Sequence, residues 1–257
     1  MFDHLFLADQ ELRDFTNSFS KQVGRGAQGE VFKGRIGPNT RGLQPQDIAV
    51  KVSREHGTLE RQSWEDEVLY LGMPSHPNVV QLLGSAIDPN GALYLVYPYY
   101  AGGSLEARVG GKLIILDINN IVANVYQVLR GIVMALNHIH NLPIPVIHGD
   151  LKPANVLLDE QGNPILCDFG LATRIGSNAK MTVTEYADSS TNNFACPERD
   201  IHMLGVFIMS VITATKARGG GVKYKFIGHT KPQKDDPKKV AENWFEKIRS
   251  QGVGILG

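Results

Sequence analysis

Between residues 118 and 140, Ile118, Ile121, Val122, Val125, Val128, Leu129, Ile132, Val133, Leu136 and Ile139 recur at helical spacing and fall on one stripe. This pattern predicts a long amphipathic helix, with Asp117 placed to cap its start. Such a helix holds only against a second apolar layer. A second segment, IHMLGVFIMSVIT at 201–213, is apolar all round and, if helical, belongs inside a helical layer rather than on its surface. Directly after the first helix the text turns polar: HGDLKPANVLL at 148–158 sets an aspartate, a lysine and an asparagine within six positions, followed at once by an apolar run.

The N-terminal part has a different period. KQVGRGAQGEVFKGRIGPNTRGLQPQDIAVKV at 21–52 predicts two short β segments around a glycine-rich turn, a polar loop and a third strand from Ile48 to Val52. LERQSWEDEVLYLG places Trp64, Val68 and Leu71 at helical spacing, and PSHPN stops that helix. VVQLLGSAI and ALYLVY, joined by the turn DPNG, return to strands between Val79 and Val96. A small, mainly β lobe is thus expected before a mainly helical one. GGG at 219–221 marks a linker.

Composition removes some classes of function. Lysine plus arginine and aspartate plus glutamate both total 26, so bulk charge points neither toward nor away from nucleic acid. Cys167 and Cys196 are the two cysteines, too few for a disulfide framework and without metal-ligand spacing, which fits a reducing compartment; the cytosol is expected. The start, MFDHLFLADQELRDF, mixes acids into its apolar residues and lacks a signal-peptide layout. No stretch has the length of a membrane span, and no glycine follows the first methionine to carry a myristoyl group.

Four short stretches carry chemistry. GRGAQGEV puts glycines at 24, 26 and 29, whose backbone N–H groups can close over phosphates without Cβ interference, although the motif alone also fits an ordinary glycine-rich hairpin. Because Val31 and Phe32 continue a β pattern, a hairpin over phosphate fits better than a strand-to-helix dinucleotide turn. Lys51 ends IAVK, and Glu67 on the following helix can hold its ammonium as a fixed point charge; Glu65 and Asp66 are the competing partners. In the third stretch Asp150 would orient an attacking hydroxyl or accept its proton, Lys152 would steady a transferring phosphoryl group, and Asn155 would hold a metal. CDFGLA at 167–172 then supplies Asp168 as a hard oxygen donor for Mg²⁺, with Phe169 packing inward to fix its direction.

The ordered set GRGAQGEV, AVK, EV, HPNVVQLLG, HGDLKPAN and DFG resembles a eukaryotic protein kinase domain over roughly residues 12 to 213. LRDFTNSFSKQVGRGAQGEVFKG and LVYPYYAGGSL look most like the plant receptor-like and interleukin-receptor-associated (Pelle-like) serine/threonine kinases. The resemblance implies an α+β, bilobal fold: residues 1–97 as a β-rich N-lobe with one key helix, 98–213 as hinge and helical C-lobe, and 214–257 as an atypical basic segment. It implies ATP and Mg²⁺ as cofactors. Gly24, Gly26, Gly29, Val31, Ala49, Lys51, Tyr97, Pro98 and Tyr100 would meet the nucleotide, with Tyr97 as gatekeeper and Pro98 to Ala101 as hinge. Pro98 keeps the carbonyl that the hinge contact uses, and the N–H of Tyr100 would be the donor. Asp150, Lys152, Lys51 and Glu67 become catalytic, Asn155 and Asp168 metal ligands. Lys152, with STNNFACPE at 190–198, points to serine/threonine hydroxyls of a protein substrate, Thr191 bracing Asp150 and Lys152; no nucleic-acid partner is expected. Leu71, Leu82, His148 and Phe169 map to the packed column of that family, anchored by Asp200, and His148 is a packing residue rather than a base.

The pattern breaks in three places. Gly149 stands where many members of the family carry an arginine that pairs with a phosphorylated activation loop, which points to constitutive activity or control from elsewhere. Only Arg199 separates Glu198 from Asp200, where the family inserts about a dozen residues. The arginine that clamps Glu198 has no assigned position, Arg218 and Arg249 being candidates by elimination. Residues 216–257 hold ten lysines and arginines against four acids, with Val240, Trp244, Phe245 and Ile248 close to one helical face: a packed helix on a solvated tail, or a basic partner surface. Two functions follow, an active serine/threonine kinase in signalling and, as its alternative, an ATP-binding pseudokinase or scaffold impaired by the shortened C-lobe.

Overall fold

The computed structural model describes residues 5–26, 29–38, 40, 42–53, 57–72, 75–110, 118–175 and 195–213. The chain divides into two compact units, one of Met1–His76 with Val80–Tyr99, the other of Pro77–Val79 with Tyr100–Gly257.

The first unit is a sheet with two helices. Its strands are β1 (Leu5–Phe6), β2 (Gln22–Gly26), β3 (Gly29–Ile36), β4 (Gln46–Ser53), β5 (Gly84–Ile87) and β6 (Leu93–Pro98), in the order β1-β5-β6-β4-β3-β2. All neighbours run antiparallel except β1 and β5. Alternation along the strands sends residues to two cores. Phe32, Val50, Val52, Tyr94 and Val96 join Leu12 of helix α1 (Asp9–Thr16) on one side. Leu93 and Leu95 meet Trp64 of helix α2 (Thr58–Leu71) on the other, where the Trp64 indole N–H donates to the Tyr94 carbonyl at 3.0 Å. The cross-strand register carries Val31 opposite Lys51 opposite Leu95, and Ala49 opposite Tyr97, so these side chains share the face covered by α2.

Neither β1 nor α1 follows from the periodicity of the sequence. Helix α1 buries only Leu12 and Thr16, and Glu11 caps it by accepting the Ala8 N–H at 2.8 Å. It ends in three consecutive left-handed residues, Asn17, Ser18 and Phe19, with φ of 49°, 55° and 58°. Thr16 holds the turn, its hydroxyl donating to the Leu12 carbonyl and accepting the Phe19 N–H, while the Phe19 ring packs on Phe32 and Tyr94.

The second unit is built on helix α4 (Ile118–His140). Val128, Leu129, Ile132, Val133, Leu136 and Ile139 are buried, the six residues of the expected stripe whose side chains are described. Asp117 lies outside the described residues. Helix α3 (Leu105–Gly110), strand β7 (Val146–Ile147), the hairpin of β8 (Val156–Leu158) and β9 (Pro164–Leu166), and strand β10 (Thr173–Arg174), paired with β7, complete the described part with helix α5 (Pro197–Thr213). In α5 Met203, Leu204, Val206, Phe207 and Ile208 are buried, matching the interior position expected of an all-round apolar helix.

One strand expectation fails: VVQLL at 79–83 is not a strand of the sheet. Val79 instead bridges to Leu166 in the second unit, and Asn78 brackets β9 by accepting the Leu166 N–H at 2.8 Å and donating to the Pro164 carbonyl at 2.8 Å. The asparagine spends its side chain and backbone on β9, so the chain turns aside before Gly84.

Candidate active site

In the sheet unit the glycine-rich hairpin is β2 and β3, with Gly24 opposite Val31 and Gly26 opposite Gly29. Gly29 is required by the fold: it has φ of 127°, and a Cβ there would run into the Val52 carbonyl. A Cβ on Gly26 would meet nothing within 4 Å among the atoms around it, so packing gives no reason for glycine there.

Lys51 Nζ lies 2.7 Å from Glu67 Oε2, with Glu67 1% exposed. This selects Glu67 over its two neighbours in the sequence: Glu65 pairs with Arg61 at 2.9 Å, and Asp66 accepts from Gln62 at 3.1 Å. Burial holds the Asp66 carboxyl above its ordinary value, with the Glu65 charge adding to it. The second oxygen of Glu67 accepts the Tyr97 hydroxyl at 3.1 Å. A buried carboxylate is thus bonded through both oxygens, and the lysine it holds keeps one direction. The residue following Pro98 is tied back to the sheet, the Tyr99 N–H donating to the Asp47 carbonyl at 3.0 Å, and the Tyr100 carbonyl accepts the Gly103 N–H at 3.2 Å.

In the helical unit the polar stretch becomes a compact loop between β7 and β8. Asp150 Oδ2 accepts Lys152 Nζ at 2.6 Å and Asn155 Nδ2 at 2.9 Å, and the same amide donates to the Asp150 carbonyl at 2.9 Å. Asn155 and Asp150 are both 5% exposed. The Asn155 carbonyl accepts the Cys167 N–H at 3.0 Å, which brings the backbone of Asp168 beside the loop. Asp168 has φ of 67°, a left-handed strain of the kind concentrated at functional sites.

His148 is fully buried, with its ring edge-on to Phe169 at 4.9 Å. Its Nε2 donates to the Cys167 carbonyl at 3.0 Å and its Nδ1 accepts the Asp150 N–H at 3.3 Å, so the imidazole ties the loop to the DFG segment. Leu82 is buried in the α2-side core with Leu71 packed against it. Asp200 accepts the His148 N–H on Oδ2 and the Gly149 N–H on Oδ1, each at 2.9 Å, and its Oδ2 also meets His140 Nε2 at 2.8 Å. Burial pushes the Asp200 carboxyl up, but the hydrogen bond from His140 and those from the loop backbone outweigh it, so it is held below its ordinary value. His140 carries no motif in the sequence; its position at the end of α4 is its only signal. Gly149 has φ of 76°, which glycine adopts without cost.

Thr191, the activation-loop hydroxyls from Ser177 to Ser190, Arg218, Arg249 and the segment 214–257 lie outside the described residues. Neither Cys167 nor Cys196 is in a disulfide, and the Cys167 thiol donates to the Asn155 carbonyl at 3.4 Å.

The donors suit a nucleotide with Mg²⁺. The Asn155 amide gives its N–H groups to Asp150 and so offers Oδ1 as an oxygen ligand, and Asp168 adds a carboxylate. Among the described residues no group of three or more His, Cys, Asp or Glu side chains could hold a metal ion by itself.

A sheet presenting a lysine held by a helix glutamate, and a helical unit presenting an aspartate-lysine-asparagine loop before DFG, define a phosphoryl-transfer fold. The chain belongs to the protein kinase domain family, whose profile matches residues 18–214. It is similar to the Probable serine/threonine-protein kinase PBL8 of Arabidopsis thaliana, 31% identical over 257 residues that cover 94% of this chain and 62% of that one. A Receptor-like kinase LIP2 of the same plant is 30% identical over 271 residues, covering 96% and 47%. An EPD1-interacting receptor-like cytoplasmic serine/threonine-protein kinase of Gossypium barbadense is 31% identical over 221 residues, covering 81% and 47%. The chain spans about half to three-fifths of the length of such relatives. Among the described residues no helix is long and apolar enough to cross a membrane.

Proposed function

We propose that this chain is a serine/threonine protein kinase that transfers the γ-phosphoryl group of ATP to a protein hydroxyl, in the cytoplasm and in a signalling role. The observation that carries this reading is the loop in which one oxygen of Asp150 is occupied by Lys152 and Asn155, at 2.6 and 2.9 Å. Its other oxygen is then placed to orient the substrate hydroxyl and take its proton as the bond to phosphorus forms. Lys152 shares its charge between Asp150 and the transferring group. Lys51, steadied by Glu67, meets phosphate oxygens, while the bare backbone at Gly24, Gly26 and Gly29 closes over them. Val31, Ala49 and Tyr97 offer the apolar face for adenine, with Pro98 and Tyr100 as its backbone partners. Asn155 and Asp168 would hold Mg²⁺, which when bound neutralises charge on the phosphate oxygens. In this reading residues 1–97 serve the nucleotide, 98–213 the catalytic loop and substrate, and 214–257 a separate basic segment.

Two measurements test it. ATP with Mg²⁺ should raise the melting temperature of the purified chain. Transfer of labelled phosphate to a serine/threonine peptide should fall about 100-fold or more in Asp150→Asn, the usual weight of a positioned acid-base group. Binding without transfer above that control overturns the enzyme and leaves a nucleotide-binding scaffold.

A further inference from the structure

Lys33 is none of the groups that meet phosphate or metal, yet its ammonium has two partners at the end of the sheet. Strands β3 and β4 pair with Lys33 opposite Ala49 and Arg35 opposite Asp47, so these four side chains stand on the face that also carries Val31, Lys51 and Tyr97. Lys33 Nζ reaches diagonally to Asp47 Oδ2 at 2.8 Å, and Arg35 Nη1 takes Oδ1 at 2.8 Å. The same Lys33 ammonium lies 4.0 Å from the centroid of the Tyr99 ring, within the reach of a cation–π contact. Tyr99 follows the last residue of β6. Ala49 faces Tyr97 and Ile48 faces Pro98, and Tyr99 continues that register by donating its N–H to the Asp47 carbonyl at 3.0 Å. Pro98, which has no N–H, thus falls where an antiparallel ladder makes no bond. The backbone bond fixes one end of Tyr99, and the ammonium over the ring fixes the other. Asp47 joins the two, its carbonyl taking Tyr99 and its carboxylate taking Lys33. Of the two cations on that carboxylate Lys33 is the more enclosed, its side chain 26% exposed against 74% for Arg35, so solvent screens the arginine pair more. The Lys33 hydrogen bond accordingly leads in holding the Asp47 carboxyl below its ordinary value, against burial and ahead of Arg35.

We infer that Lys33 is a positioning residue for the nucleotide: held by Asp47, its ammonium fixes the Tyr99 ring and with it the peptide unit that carries the Tyr100 N–H. That unit is planar and begins at the Tyr99 α-carbon, so once Tyr99 is held a single dihedral, its ψ, sets the direction of the N–H. Lys33 acts through the tyrosine and not by touching ATP. The inference rests on the reading of the Tyr100 N–H as the donor to adenine.

Calorimetric titration of the whole chain with ATP and Mg²⁺ tests this without reference to activity. Lys33→Met should raise Kd about fivefold, the equivalent of about 1 kcal/mol. Tyr99→Leu should do the same, and the double variant should stay near about fivefold instead of multiplying, because both changes remove one contact. Lys33→Arg, which keeps the ion pair and a cation over the ring, should bring Kd back to within about twofold. Arg35→Met, which strips the other cation from Asp47, should leave Kd unchanged within about twofold. In Lys33→Met, adenosine should weaken by the same factor as ATP and inorganic tripolyphosphate should not; weakening of both means general damage to the sheet and overturns the inference. In the phosphotransfer assay KM for ATP should rise with Kd while kcat stays within about twofold. An unchanged Kd in Lys33→Met, fully multiplied losses in the double variant, or an equal loss in Arg35→Met overturns the inference and leaves the reading of the site intact. Failure of the unmodified chain to bind ATP overturns that reading, and the inference with it. Binding without transfer removes the enzyme alone, and the titrations still decide the role of Lys33.

Discussion

Glu67 illustrates how a single carboxylate is made rigid. It is 1% exposed and bonded to Lys51 and to the Tyr97 hydroxyl, so each partner removed leaves an oxygen to be satisfied inside the protein. Tyr97→Phe deletes a neutral hydrogen bond and should cost about 1 kcal/mol in urea unfolding; Glu67→Ala, which strands the lysine as well, should cost about 3 kcal/mol. Equal effects would show that the tyrosine hydroxyl, and not the ion pair, dominates. Gly149 makes a second case. Its φ of 76° is free for glycine but strained for any side chain, so Gly149→Arg should destabilise the chain by about 1–2 kcal/mol, measured by the same unfolding curves. A neutral result would mean that the loop relaxes away from Asp200.

Among elements, those with many buried positions were legible in the sequence and those with few were not. Helix α4 repeats its apolar residues over six turns and α5 is apolar on every side, so both follow from pattern. Helix α1 buries two of its eight residues and leaves no period to detect. The run at 79–83 has strand composition, yet the bonds of Asn78 to β9 draw it off, and no local pattern records a partner that far away. The end of α1 also carries an avoidable cost. Ser18 holds φ of 55°, and Ser18→Gly should raise stability by about 0.5–1 kcal/mol, read as a higher melting temperature. A decrease would show that the serine side chain contributes more than its backbone strain removes.

At the scale of the whole molecule, the candidate site was legible where its residues carry a motif, as the distant Lys51 and Glu67 also do, and obscure where they carry none. Asp150, Lys152 and Asn155 lie within six positions and bond one another. The bond of His140 to Asp200 joins residues 60 apart, and no spacing rule could have joined them. That bond also makes stability depend on acid. The Asp200 carboxyl is held below its unfolded value of about 3.9, so its contribution is complete above that pH and is lost as pH falls through the lower folded value. Unfolding free energy should therefore drop below about pH 4, and His140→Gln should make that drop shallower; an identical acid slope in both proteins would exclude the histidine as the cause.

Helix α5 joins the PE motif to the aspartate that grips the catalytic loop within a single turn. Where a flexible spacer would absorb tugging from the preceding segment, a rod transmits it. Pro197 and the backbone of residues 148 and 149 are therefore joined through one turn of helix and the two bonds of Asp200, with no slack between them.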